Sequence, residues 1–273
     1  MSLKGHINNY ARENRIAAQT VLQNLMFERF LIRLSHSEYR DSFIIKGGIL
    51  VSAILGLNSR STMDLDMTLR QLPLSRESLP EVLGAVCRVA EPDETAFSIV
   101  SVTPIRKNAL YGGYRVRIDA RYDTIITPLS IDITTGDIIT PGPVEYELRG
   151  IFDGAVRYSL WGYNIETLLA EKLETLLMLG VFNTRPRDFY DIYVLTREQP
   201  CDHDTLMKAL ALTAARRGHD IPRDRIPPIL DSLRDSREMR EHWEKYTRRF
   251  PYASGISYTD VIRQIRECLL TGA

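Results

Sequence analysis

The sequence predicts an α+β protein: a sheet with flanking helices over residues 1–162, followed by a helical C-terminal half over residues 163–273. Three observations lead there. Residues 43–70 pass from an apolar run through Gly47-Gly48 and a helical stretch into a strict two-residue alternation. From Phe97 to about Leu148 the texture is that of β-strands, with alternating apolar positions and turn residues between them. From Asn164 onward, apolar residues recur at helical spacing to the end of the chain.

The elements follow in order. Residues 3–36 predict two helices, the second from Ile16 to Leu34, with Val21, Leu25, Phe30 and Leu34 on one packing face. Phe43-Ile44-Ile45 predicts a short buried strand, Gly47-Gly48 a turn, and Ile49 to Leu57 a helix. Met63, Leu65, Met67 and Leu69 then alternate with Asp64, Asp66, Thr68 and Arg70. In a strand that alternation puts Asp64 and Asp66 together on the face opposite the core. Ser75 predicts an N-cap for an amphipathic helix over Arg76 to Val89, and Glu91 to Glu94 a turn. Strands are predicted at Phe97–Thr103, Tyr114–Tyr122 and Pro128–Thr134, the first two joined by a turn at Gly112-Gly113. The Pro- and Gly-containing stretch 136–154 reads as a linker before a short strand near Val156–Leu160. Asn164 opens a helix with Leu168, Leu169, Leu173, Leu176 and Leu177 in its stripe, and a further helix begins at Pro186. Helices near 203–217, 223–233, 235–249 and 258–270 complete the chain, and a cleft is expected between the two halves.

Composition narrows the function. The 273 residues carry 35 Lys and Arg against 35 Asp and Glu, a formal charge of zero. Such a balance argues against indiscriminate binding of polyanions while leaving room for a local basic surface. Cys87, Cys201 and Cys268 are far apart and odd in number, as expected for reduced thiols in a cytoplasmic protein. The N-terminus is polar rather than a secretory leader, and the longest apolar stretch is too short to span a bilayer.

The chemistry concentrates in residues 43–70. Two carboxylates one residue apart on a strand can share a hard cation, and a Gly-Gly bend at a helix start offers backbone N–H groups to phosphate. A phosphate cradle and a divalent-cation site in one compact unit are what nucleotidyl transfer requires. The ordered pattern resembles the polymerase-β-like nucleotidyltransferase superfamily. More narrowly, Lys46-Gly47-Gly48 with Arg60-x-Thr62-x-Asp64-Leu65-Asp66 resembles the AbiEii/AbiGii toxin family of nucleotidyltransferases.

That resemblance extends from about residue 40 to residue 195 and implies a mixed sheet. It implies a third carboxylate on a strand adjoining the Asp-x-Asp strand. Asp132, between Ile131 and Ile133, is the candidate, and Asp119 in Ile118-Asp119-Ala120 is its rival. It also implies roles for a second constellation, Glu171-Lys172-Leu173-Glu174 with Arg185-x-Arg187-Asp188-x-x-Asp191. Read from the residues alone, Asp188 could cap a helix and Asp191 could pair with Arg185 or Arg187. Read through the resemblance, Lys172 binds triphosphate and Asp188 or Asp191 organises the site. Lys46, Gly47, Gly48, Arg60, Thr62, Lys172, Arg185 and Asp191 fall on the nucleotide side, with Asp64, Asp66 and Asp132 as metal ligands. Two Mg²⁺ ions are implied, with Mn²⁺ as the substitute. The superfamily commonly has a serine after the glycine, where this chain has Gly48, so a hydroxyl contact to phosphate is missing.

Family membership further implies a toxin of a toxin–antitoxin or phage abortive-infection system, with an NTP substrate, an RNA acceptor at the tRNA 3′ end, and a cognate antitoxin partner. A protein acceptor and a non-catalytic nucleotide-binding regulator are the competing readings. Arg216-Arg217, Arg223, Arg225, Arg234, Arg237, Arg240 and Arg248-Arg249 could grip an RNA backbone or form a solvated surface neutralised by nearby acids.

Overall fold

The structure, a computed structural model, describes residues 2–58, 60, 62–72, 75–105 and 112–271. The chain divides into two compact units, Met1–Asp137 with Pro143–Tyr163, and Ile138–Gly142 with Asn164–Ala273.

The first unit opens with helices α1 (Leu3–Asn14) and α2 (Ala18–Ser35). Ser2 caps α1 by accepting from the Gly5 amide at 3.3 Å. Along α2 the apolar positions Val21, Leu25, Phe30 and Leu34 are all buried, and Phe30 meets Phe97 edge-on. Then come β1 (Phe43–Lys46), α3 (Gly47–Leu55), β2 (Leu65–Leu69), α4 (Ser78–Cys87), β3 (Thr95–Ile105), β4 (Gly113–Tyr122), β5 (Ile125–Thr135), β6 (Val144–Arg149) and β7 (Arg157–Gly162). The seven strands form one sheet in the order β3-β4-β5-β2-β1-β7-β6. Pairing is parallel between β2 and β5 and between β1 and β7, and antiparallel elsewhere, so the sheet is mixed. Leu65, Met67, Val116, Ile118, Ile131 and Ile133 are fully buried on one face.

Three details differ from the sequence expectation. Gly47-Gly48 is the first turn of α3 rather than a bend ahead of it. Strand β2 begins only at Leu65, so Asp64 precedes the ladder and Met63 is exposed. Beyond Lys46, the partner of Asp66, the chain turns into α3, so Leu65 is held by β5 alone, through Ile131. The presumed linker contains β6, whose Val144, Tyr146 and Leu148 alternate with Glu145, Glu147 and Arg149. It is an edge strand, and its charged residues blunt the open edge. Helix α4 starts at Ser78 with Glu77 in the N-cap position, and Ser75, expected as the cap, accepts from the Ser78 amide at 3.0 Å across the turn ahead of it. Gly113 starts β4, while the remainder of the connection from β3, residues 106–111, lies outside the described residues.

The second unit consists of α5 (Ile165–Leu179), α6 (Pro186–Glu198), α7 (His203–Arg216), α8 (Ile226–Asp235), α9 (Arg237–Arg249) and α10 (Tyr258–Leu270). Polar caps set four of the starts: Asn164, Asp202, Ser236 and Ser257 each accept from an amide three residues on. Pro227-Pro228 sits in the first turn of α8, where a missing N–H costs nothing. The segment 138–142 is tied to α5 by Asn164 Nδ2 donating to the Thr140 carbonyl at 2.6 Å. The Thr140 amide in turn donates to Thr167 Oγ1 at 3.0 Å. No helix among the described residues is long and apolar enough to cross a membrane.

Candidate active site

Strand register lines up four charged residues across the sheet. Arg115 on β4 pairs with Asp132 on β5, Asp132 with Asp66 on β2, and Asp66 with Lys46 on β1. Directly paired residues point to the same face of a sheet, so the row reads cation, acid, acid, cation on the face opposite the apolar core. Asp119 lies on the same strand as Arg115 but pairs with Pro128, four positions along β5 from Asp132. The register therefore puts Asp132, and not Asp119, beside Asp66.

The glycines pack directly on this row. Gly47 has φ +63°, a conformation that suits a residue without Cβ. A Cβ there would collide with Asp66 Oδ2 and lie 3.0 Å from its Cγ. A Cβ on Gly48 would lie 2.7 Å from Thr62 Oγ1 and 2.9 Å from an Arg60 guanidinium nitrogen. Thr62 and Arg60 are both buried. Gly47, Gly48, Arg60, Thr62 and Asp66 thus converge at the N-terminus of α3, where unpaired amides and the positive end of the helix dipole favour anions.

Asp64 precedes β2 and is exposed. Its position is set from α2, because Asn24 Nδ2 donates to the Thr62 carbonyl and Gln23 Nε2 to the Met63 carbonyl, each at 2.9 Å. Sequence reading treated α2 as a packing helix only. Two buried amide side chains on its packed face were the available signal.

Each end of the row has a partner. Lys46 Nζ donates to Asp137 Oδ2 at 2.5 Å, and the same oxygen accepts from Tyr163 Oη at 2.8 Å and Thr134 Oγ1 at 2.9 Å. Burial works to raise the Asp137 carboxyl, but Lys46 and these hydroxyls outweigh it and hold it below the usual carboxylate range. Asp137 was not foreseen from the sequence, since it follows β5 in a stretch that reads as linker. At the other end Arg115 binds Asp132 through both arms, Nε to Oδ1 and Nη2 to Oδ2, each at 2.7 Å. The Arg115 guanidinium is held above its ordinary value by that hydrogen-bonded pair first, with Asp64 and Asp66 acting in the same direction. All three acids therefore lie within electrostatic reach of one guanidinium.

Among the described residues no three His, Cys, Asp or Glu side chains are gathered tightly enough to hold one ion, Asp132 being turned onto Arg115. The donor set nonetheless fits a hard divalent cation. Asp66 and Asp132 are side by side in register, Asp64 is two residues from Asp66, and all three offer carboxylate oxygens.

The second constellation belongs to the helical unit. Lys172 on α5 is buried, and its Nζ donates to Asp191 Oδ2 at 2.7 Å and Asp188 Oδ1 at 3.1 Å, both on α6. Asp191 is fully buried. Arg185, mostly exposed, reaches Asp188 Oδ2 at 3.1 Å. Asp188 lies in the first turn of α6, where a carboxylate interacts favourably with the helix dipole. Of the arginines read as an RNA grip, Arg217 is paired with Glu171 and Glu174, Arg234 with Asp231 and Asp235, and Arg237 with Glu241.

The architecture is that of the nucleotidyltransferases. A crystal structure of a proposed nucleotidyltransferase from H. pylori superposes with a TM-score of 0.53 at 14% identity, over 93% of this chain and 94% of that one. The chain belongs to the family described as Nucleotidyl transferase AbiEii toxin, Type IV TA system, whose profile matches residues 29–263. JHP933 from Helicobacter pylori aligns over 93% of this chain and 90% of its own at 14% identity and a TM-score of 0.46. An antigenic nucleotidyltransferase-like protein from Paracoccidioides brasiliensis aligns over 88% and 93% at 14% identity, with a TM-score of 0.35. No curated protein matches the chain in sequence.

Proposed function

We propose that this toxin-family nucleotidyltransferase transfers NMP from an NTP to an RNA acceptor, the 3′ end of tRNA, in a metal-dependent reaction. The observation that supports this most is the pairing of Asp66 with Asp132 beside a glycine helix start that has no room for a side chain. The acceptor comes from the family resemblance.

In this reading Asp64, Asp66 and Asp132 hold Mg²⁺ or Mn²⁺. When bound, two such ions would neutralise charge on the α-phosphate and the departing pyrophosphate and activate the attacking hydroxyl. The amides of Gly47 and Gly48 donate to the triphosphate at the start of α3, and Arg60 and Thr62 border it on the sugar or base side. Lys46 adds positive charge from β1. The family resemblance gives Lys172 and Arg185 a part in nucleotide binding and Asp188 or Asp191 a part in organising them. The acceptor 3′-oxygen bonds to the α-phosphorus, the bond from that phosphorus to the β-bridging oxygen breaks, and pyrophosphate leaves. The hydroxyl proton passes to Asp132. The site works in the cytoplasm and is restrained by a cognate antitoxin.

Incubating the protein and Mg²⁺ with each α-labelled NTP and total tRNA tests the reading. Label is expected on tRNA, and none with Asp66→Asn. Label on added cell protein instead of tRNA would move the acceptor to a polypeptide. No label anywhere, with wild type and Asp66→Asn alike, would end the catalytic reading.

A further inference from the structure

We propose that Arg115 is a built-in counter-cation of the acid pair, held on Asp132 until a divalent ion displaces it, so that metal and guanidinium compete for one carboxylate. The inference rests on the metal-site reading above.

Asp66 and Asp132 are adjacent partners on parallel strands, and two carboxylates that close repel one another when both are ionised. A cation beside them relieves that repulsion. On the β1 side Lys46 is the register partner of Asp66 and also meets Asp137. On the β4 side the guanidinium of Arg115 meets both oxygens of Asp132 in the fork geometry that makes such pairs strong. Asp64 and Asp66 act on the same guanidinium. Each Asp132 oxygen already accepts one N–H, so a metal ion meets only the remaining lone pairs of a carboxylate whose charge the guanidinium has largely neutralised, and it binds in full strength only as Arg115 yields. Arg115 can yield: its side chain is 44% exposed, against 18% for Asp132, so the freed guanidinium has water to enter. A lysine could not grip both oxygens in this way, since an ammonium lacks the planar fork.

Arg117 supplies the control. It lies two residues along β4, pairs with Ser130 rather than an acid, and is exposed. Replacing it changes the net charge of the same strand face equally without touching Asp132.

Mn²⁺ binding in the absence of nucleotide, followed by electron paramagnetic resonance, tests the proposal on the full-length wild type, Arg115→Gln, Arg117→Gln and Asp66→Asn. Arg115→Gln is expected to bind Mn²⁺ about five- to tenfold more tightly than wild type, Arg117→Gln within about twofold of it, and Asp66→Asn far more weakly. In thermal unfolding, Mg²⁺ should raise the Tm of Arg115→Gln more than that of wild type, because the variant's acids have lost their other cation. Equal tightening in Arg115→Gln and Arg117→Gln would reduce the effect to net charge and overturn the proposal. Unchanged or weaker binding in Arg115→Gln would also overturn it, while leaving the metal site standing if Asp66→Asn still loses Mn²⁺. Absence of Mn²⁺ binding in wild type and Arg115→Gln alike would remove the metal site and this proposal together.

Discussion

The carboxylate of Asp66 occupies the space that a side chain on Gly47 would need. The glycine start of α3 and the strand that carries Asp66 are therefore packed backbone to side chain. Gly47→Ala should force the left-handed backbone at position 47 and displace Asp66 together. A stability loss of about 1–2 kcal/mol is expected from the backbone alone. Transfer activity should fall about a hundredfold, the order expected when a reacting group is misplaced by about an ångström. Chemical denaturation and a labelled-NTP assay check the two effects separately.

Asn24 on α2 holds the Thr62 carbonyl, and with it the approach to Asp64. Asn24→Ala leaves that buried carbonyl without its donor, at a cost of about 1–3 kcal/mol. Because the tie lies just before β2, Mn²⁺ affinity should drop along with stability. Asn14→Ala breaks a side-chain hydrogen bond within α1, to the Tyr10 carbonyl, and should leave Mn²⁺ affinity unchanged. Comparing the two separates loss of positioning from loss of stability.

Lys172 neutralises two carboxylates in the interior of the helical unit. Lys172→Met would remove the cation that Asp188 and Asp191 share, with Arg185 still reaching Asp188, and removing one member of a buried charged group typically costs about 3–5 kcal/mol. Lys172→Met with Asp191→Asn should recover part of that stability without recovering activity. Denaturant melts and transfer assays on the single and double variants test this.

Glu28 gives the first unit a pH dependence. Burial pushes its carboxyl up to about 7, and although the Ile151 amide and Arg29 pull it down, Asp93 adds to the rise. Its Oε2 accepts from the Ile151 amide at 2.6 Å, and its charge also bears on Tyr10 and Tyr158. The folded protein thus binds a proton that the unfolded chain, with an ordinary glutamate, releases near pH 4.5. That contribution is fully present below about pH 4.5 and is lost as pH rises through about 7, a difference of about 3 kcal/mol. Glu28→Gln keeps an acceptor for Ile151 and removes the titration. Its Tm should fall less than that of wild type between pH 5 and pH 8, and a parallel fall in both proteins would refute the assignment.

Local chemistry was legible in the sequence where neighbours in the chain are also neighbours in space. The Asn164 cap, the buried strand Phe43–Ile45 and the alternation of Leu65, Met67 and Leu69 all depend on residues within a few positions of one another. The roles of Arg115 and Asp137 were not legible, because each depends on strand register or on a contact reaching far along the chain. The roles of Gln23 and Asn24 were not legible either, since nothing local says which carbonyl a buried amide will meet. Strand β6 was hidden by its own solubility: an edge strand bearing Glu145, Glu147 and Arg149 reads as loop between prolines and glycines.

The parallel pairing of β2 with β5 has a bearing on biosynthesis. Parallel neighbours cannot be joined by a tight hairpin, and here α4, β3 and β4 intervene before the partner strand exists. Closing so long a loop is slow compared with forming the helices on either side. A chain interrupted on the ribosome before residue 132 therefore carries the glycines and the first two acids but lacks the residue that β5 sets beside Asp66.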